Sequence, residues 1–435
     1  MKRSILLISG NYSPEPTGIG KYNKEMTDWM ADNGFEVTVI STYPYYPYWQ
    51  LQAPYTRRHK WYSKERLITA NGNVITVYRC PHYVPKKPTG ARRMMLDFSF
   101  ALAAFFQVLK LAAGKKFQYV ITVIPPLPLG LLSVLYKKLR NATFLYHVQD
   151  LQIEAARDLQ MIQSQRTIRN LFRIEQYILR HADIVSSISD GMIEKMQEKT
   201  TKPVVFFPNW ADLHQFYPIS DKGALKQAFG FATTDKVVLY SGSVGEKQGL
   251  EAILDAAAKE QNPAVKFVIC GSGPYKEKLQ QMAVCRKLDN VVFMPLQPLD
   301  QFNNFLNMAD VHLIIQKANA SDLVMPSKLT NILAVGGLAL VTANANSTLH
   351  KLISKHKMGL LVPAEDAPAL QQGIACALSQ PMAAVQANAL AYARQHLAID
   401  EVMKTYFNHT LAPINLTVEQ VAIKRKTVMS YFFNA

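Results

Sequence analysis

Cysteine is scarce in this 435-residue chain: Cys80, Cys270, Cys285 and Cys376 stand far apart, with no Cys-x-x-Cys or Cys/His pairing. That spacing gives neither a zinc-binding pattern nor a disulfide framework, and it fits a reducing compartment. A long apolar run at the start is missing too. Only Ile5 to Ile8 is apolar after Lys2 and Arg3, too short for a signal-peptide core, so a first β-strand of a cytoplasmic protein is expected. No G-x-G-x-x-G with an acid about 20 residues later occurs, which speaks against a dehydrogenase. Acids are sparse where bases crowd: between Arg57 and Lys116 there are 13 Lys or Arg and only two acids, Glu65 and Asp97, in a chain of net charge +16. No nucleic-acid-binding module accompanies that charge, so nucleic acid is not an expected partner. An anionic membrane surface is one, although a merely solvated basic face accounts for charge alone equally well.

What is present reads as α/β. With 49% apolar and 18% charged residues the chain can bury two or three cores. Short apolar runs alternate with helix-period segments, the pattern of βα units and parallel sheets. Strands are predicted at 5–9, 37–40, 74–78, 119–124, 144–148 and 184–188, with helices such as 22–33 and 167–180. The pattern restarts after Asn209, with strands at 236–241, 266–270, 291–293, 311–315, 339–342 and 359–362. Phe207-Pro208-Asn209-Trp210 breaks the periodicity. Residues 1–209 are therefore assigned to one domain, 210–385 to a second, and 386–435 to closing helices expected to pack back on the first. Phe98 to Ala113 is almost wholly apolar and follows Arg92 and Arg93. It suits an interfacial helix with basic flanks or a buried core helix.

Three glycine-bearing loops follow strands. Gly18 and Gly20 lie in Ser13-Pro14-Glu15-Pro16-Thr17-Gly18-Ile19-Gly20-Lys21; Gly242 opens a loop running to Lys247 and Gly249; and Gly271-Ser272-Gly273-Pro274 follows the next strand. Glycine turns let phosphates approach backbone N–H groups beside a helix N-terminus. Each alone is equally an ordinary βα turn, but three at equivalent strand ends in two domains favour a cleft. Met325-Pro326-Ser327-Lys328-Leu329-Thr330-Asn331 adds a helix start: Ser327 near the cap, Lys328 for phosphate charge and Asn331 for a ribose hydroxyl.

At these residues the chain resembles glycosyltransferase family 4, retaining enzymes of the GT-B fold with two Rossmann-like domains facing across a cleft. The likeness runs over nearly the whole chain, in order: the Gly18/Gly20 loop, Pro208-Asn209-Trp210, Gly242 to Gly249, Gly271 to Pro274, and Pro326 to Gly337. The likeness is strongest to a branch that builds exopolysaccharide of the colanic acid type. It implies a fucosyl- or hexosyltransferase taking fucose from GDP-fucose to a lipid-linked, polyprenyl diphosphate saccharide. The enzyme would sit peripherally on the inner face of the plasma membrane, with no cofactor beyond the nucleotide-sugar donor and no metal. The family's usual residues are only partly in place. Ser243 stands where an arginine is usual and Lys247 sits one residue early, so Lys247 and Lys328 are taken as the phosphate pair. The family's two glutamates map to Leu323 and Asn331, which makes Asp322 the nearest acidic substitute. A family histidine is absent at Ile124-Pro125-Pro126-Leu127, and His147 and Asp150 at the next strand end are the candidates for a related place, a structural role for either staying open. A sugar-nucleotide epimerase and a non-catalytic membrane scaffold of a polysaccharide assembly complex are the competing readings.

Overall fold

The computed structural model describes residues 3–15, 18–57, 61–87, 89–158, 162, 164–317, 326–345 and 347–411. The first half builds one sheet. β1 (Ser4–Ser9), α1 (Gly18–Asp32) and β2 (Glu36–Thr42) open it, and β3 (Ser63–Ile68) and β4 (Val74–Cys80) follow. Then come α2 (Gly90–Ala113), β5 (Tyr119–Ile124), α3 (Leu129–Arg140), β6 (Thr143–Val148), α4 (Gln152–Asp158), α5 (Gln165–His181), β7 (Ile184–Ser187), α6 (Asp190–Gln197) and β8 (Val204–Phe206). The eight strands lie in the order β3-β4-β2-β1-β5-β6-β7-β8. All neighbours are parallel except β3 and β4, an antiparallel pair at the edge. Every residue of β1 is buried, as a central strand covered by helices on both faces requires.

The second half repeats the plan. α7 (Lys222–Ala228), β9 (Lys236–Ser241), α8 (Glu251–Lys259), β10 (Val265–Cys270), α9 (Lys276–Cys285) and β11 (Val291–Met294) come first. α10 (Leu299–Asn307), β12 (Val311–Ile314), α11 (Lys328–Ala334), β13 (Ala339–Thr342), α12 (Thr348–His356), β14 (Leu360–Val362) and α13 (Ala367–Ser379) complete it. The sheet order is β11-β10-β9-β12-β13-β14, all parallel. In each sheet the first parallel strand, β1 or β9, has later strands on both sides. That reversal leaves a crevice at the carboxyl ends of the strands, where ligands of such sheets bind. The loops after β1 and β9 both carry the predicted glycines.

All twelve predicted strands are present. β3 and β8 are additional, α1 starts at Gly18 rather than Tyr22, and α2 runs over 24 residues rather than 16. By length and composition α2 could cross a membrane, yet one side of it is core: Leu96, Phe100, Ala104 and Val108 pack with β1 and β5 to β7. Its other side leaves Met94, Met95, Phe98, Leu102, Phe106 and Leu109 exposed. One face of the 98–113 stretch is thus core and the other is exposed apolar surface.

After α14 (Ala383–Tyr392), which packs on the second half, a short π turn at Ala393–Leu397 leads into α15 (Ile399–Thr410). α15 lays Val402, Met403, Tyr406 and Phe407 into the first half's core beside Ile5, Val37 and Trp210. Of the closing segment 386–435, residues 412–435 lie outside the described residues.

Candidate active site

The β1 loop is built around a buried carboxylate. Glu15 Oε1 accepts the backbone N–H groups of Tyr45 (3.0 Å) and Tyr46 (2.9 Å), and Oε2 accepts Asn11 Nδ2 (2.8 Å). Burial lifts its carboxyl to about 7 against those donated bonds and the charge of Arg79. Gly20 is needed for contact: a Cβ there would stand 2.9 Å from Glu15 Cβ. Gly18 is exposed and touches nothing, but its φ of +60° is one a side chain would strain. Neither glycine is placed against the second half by any described contact; Tyr22, on the same helix, is. Its hydroxyl donates to Ser327 O (3.4 Å) and lies 3.4 Å from Thr330 Oγ1, while its ring meets Trp210 edge-on at 5.1 Å.

In the second half the two glycine loops lie backbone to backbone. Gly242 N donates to Cys270 O and Val244 N to Ser272 O, both at 2.9 Å. A Cβ on Gly271 would fall 1.8 Å from Gly242 O, and one on Gly273 2.1 Å from Val244 O. Side chains at either position would drive the loops apart. Lys328, the first residue of α11, reaches over this pair. Its Nζ stands 3.6 Å from the centre of the Tyr240 ring and 3.1 Å from where a Gly242 Cβ would be. Burial alone pulls the ammonium down to about 7. Among the described residues no carboxylate pairs with it, so the site holds a desolvated cation that an anionic ligand would stabilise. Three residues on, Asn331 Oδ1 is buried without a hydrogen-bond partner.

Other expected residues fall elsewhere. Ser327 does not cap α11: its backbone is already helical (φ −60°, ψ −22°) and its exposed hydroxyl makes no cap bond. The backbone of Lys247 lies in a short 3₁₀ turn, Glu246–Gln248, its side chain lying outside the described residues together with the whole of Asp322. His147 is 2% exposed inside β6. Its Nδ1 lies 3.0 Å from Ser186 Oγ, which in turn meets the Tyr406 hydroxyl at 3.1 Å, and the Phe207 ring packs on it at 4.9 Å. Burial drives its pKa down to about 3. It is a neutral residue tying β6 and β7 to α15, and none of its described contacts reaches the glycine loops. Asp150 stays near the cleft, where its charge, after burial, Ser243, Glu15 and Arg93, bears on the Tyr46 hydroxyl.

That hydroxyl marks residues the sequence reading missed. Half-buried Tyr46 faces Ser243 of the glycine loop across the cleft, close to Glu15 and Arg93. The Arg93 guanidinium sits 4.8 Å over the Trp49 ring. Asp97, one helical turn further along α2, has its carboxyl lifted by burial to about 7. Tyr46 carries no sequence signal of such a place, and Arg93 reads in the sequence only as a basic flank of the apolar helix. No spacing in the sequence showed that the two would converge.

Residues 221–396 match the family described as Glycosyl transferases group 1, and residues 17–210 match the Glycosyl transferase 4-like domain. A curated relative of Escherichia coli (strain K12), WcaI, named for glycosyl transfer in colanic acid biosynthesis, is 38% identical over 412 residues, covering 93% of this chain and 98% of WcaI. The chain belongs to this glycosyltransferase family. Its fold is that of solved GT-B structures. Sucrose-phosphate synthase from Thermosynechococcus elongatus superposes with a TM-score of 0.71 at 16% identity, covering 94% of this chain and 98% of that one. HepE of Anabaena, solved with UDP and glucose, gives 0.67 at 14% identity over 94% and 99%. The glycosyltransferase therefore has two Rossmann-like units, with Tyr22, Tyr46 and the head of α11 where they meet.

Proposed function

We propose that this glycosyltransferase is a retaining enzyme that moves fucose from GDP-fucose onto a lipid-linked saccharide in exopolysaccharide assembly of the colanic acid type. The observation that carries the reading is Lys328: a buried ammonium with no carboxylate, set against two glycine loops and next to an unpartnered Asn331 Oδ1. A nucleoside diphosphate supplies what is missing, negative charge for Lys328 and a ribose hydroxyl for Asn331. Lys247, on the adjoining turn, is the second phosphate cation of this reading, and Asp322 the group facing the sugar hydroxyls. Likeness to WcaI, named for glycosyl transfer in colanic acid biosynthesis, supports the pathway.

In front-face transfer the acceptor oxygen bonds to the anomeric carbon as the bond to the β-phosphate oxygen breaks, and the acceptor's proton passes to that departing oxygen. The protein's part is to hold charge as it grows on the diphosphate. A lysine and fixed backbone N–H groups in a water-poor cleft do this without reorganising. Ser243, where the family has an arginine, leaves that work to Lys328 and Lys247. In this scheme no step requires a metal.

The acceptor side of the reading is the first half and its lipid face. The exposed apolar row of α2, with Arg92 and Arg93 in its first turns, suits an inner-membrane surface carrying anionic headgroups. Arg93 brings that helix's end into the cleft. The test is a panel of GDP-, UDP- and ADP-sugars scored by thermal stabilisation and by nucleotide release dependent on a lipid-linked acceptor. GDP-fucose should give the largest stabilisation; preference for a UDP-sugar overturns the donor assignment, and acceptor-independence overturns the lipid-linked substrate.

A further inference from the structure

A cavity of about 510 Å³ opens between α4, α5 and α6, away from the glycine loops. Its floor is a closed set of charges. Lys199 Nζ pairs with Glu154 Oε1 and, at 2.9 Å, with Glu175 Oε2, both glutamates being at most 6% exposed. Its rim is not closed. Arg169, Arg173 and Lys195 line it, and among the described residues none of the three has a carboxylate partner; Arg173 reaches only Asn170 Oδ1 at 3.4 Å. One buried polar atom of the lining is also unsatisfied: Glu154 Oε2 has no hydrogen-bond partner.

We propose that this cavity is a second ligand site of the glycosyltransferase, taking the phosphate ester of a polyol. Two guanidinium forks and an ammonium, none of them ion-paired among the described residues although the exposed Glu198 also lines the cavity, match phosphate oxygens, which arginine binds through paired N–H donors. Phosphate oxygens offer Glu154 Oε2 no proton, whereas a hydroxyl of the esterified alcohol does, and it would satisfy a buried acceptor that is otherwise empty. The site thus asks for phosphate and hydroxyl on one molecule. Two sources carry that chemistry, a soluble polyol phosphate and a glycerophospholipid headgroup. α5 and α6 pack on the same side of the first sheet as α2, so a headgroup could reach the cavity from the surface that α2 contacts. The site shares no residue with the Lys328 site and stands independently of the donor reading.

Calorimetric titration of the full chain with sn-glycerol 3-phosphate should show one site, retained in Lys328→Ala protein. Arg169→Ala with Arg173→Ala should weaken it at least ten-fold at unchanged Tm, since both side chains are exposed. Inorganic phosphate should bind more weakly than the ester. If the paired substitution also lowers co-sedimentation with phosphatidylglycerol vesicles, relative to phosphatidylcholine, the ligand is the headgroup; if it lowers only the titration, the ligand is soluble. Absence of glycerol 3-phosphate binding, binding indifferent to both arginines, or equal affinity for inorganic phosphate overturns the proposal.

Discussion

Burial holds Lys328 near 7, so the unliganded protein at neutral pH is a mixture of ammonium and amine at that position. A diphosphate binds the ammonium, so donor binding takes up a proton above about pH 7. Affinity should then fall by up to about ten-fold per pH unit above 7, until the liganded lysine itself titrates. The sign for stability is opposite. The folded pKa lies below the unfolded one, the unfolded chain binds more protons between about 7 and 10.5, and the free protein gains stability as pH rises through that window. Titrations of a nucleoside diphosphate in buffers of different ionisation heat check the proton uptake. Lys328→Arg should flatten the affinity profile, because a guanidinium stays charged throughout; a wild-type profile already flat from pH 6.5 to 8.5 contradicts the role. His147 gives the converse expectation. His147→Gln should lower stability by about 1–3 kcal/mol by breaking its link to the Ser186–Tyr406 chain and leave kcat/KM within about two-fold. Thermal melts and steady-state rates separate the two. These residues show where the sequence is mute: Gly271, Lys328 and Asn331 were legible because loop chemistry follows from residue type. For His147 a strand-end position does not reveal which face of the sheet its side chain enters.

α2 shows the same limit for a whole element. Its apolar composition was plain in the sequence, but a row that is apolar all round has no period from which to tell core from surface. The structure divides it. Phe98, at 68% exposure, and Phe106, at 57%, point outward, whereas Phe100 is fully buried. Phe105, next to Phe106, packs partly against the core and is a poor probe of the outer face. Phe98→Ser, Leu102→Ser and Phe106→Ser together should abolish binding to anionic vesicles at nearly unchanged Tm. Phe100→Ala should cost about 3–5 kcal/mol and leave vesicle binding of the folded protein intact. Co-sedimentation with calorimetry distinguishes them, and retention of the triple variant on vesicles removes α2 as the membrane contact. β3 and β8 escaped notice for other reasons. β3, Ser-Lys-Glu-Arg-Leu-Ile, alternates half-buried with exposed residues as an edge strand does, and its charges hid the pattern; β8 has only three residues.

At the scale of the molecule the two halves are joined twice, and the second join is not where the chain passes from one sheet to the other. α15 returns from the second half and fills the first half's core. Phe407 stacks on Trp29 at 5.7 Å and approaches Phe35, while Tyr406 stacks on Phe207 at 3.8 Å and its hydroxyl meets Ser186. Trp29 Nε1 also donates to Asp400 Oδ1 at 2.8 Å. The first core is therefore complete only when residues some 370 positions after α1 have docked. Phe407→Ala removes a side chain that touches three aromatic rings of the first half and none of the second-half core. It should destabilise the first half by about 3–5 kcal/mol. The second sheet, whose core holds α14 but not α15, should keep its own melting temperature. Scanning calorimetry should accordingly show the variant's first transition moving down and separating from one that stays in place. A single transition shifted as a whole would instead mean that the strap binds the two units into one cooperative fold, and that the cleft closes and opens without α15 loosening.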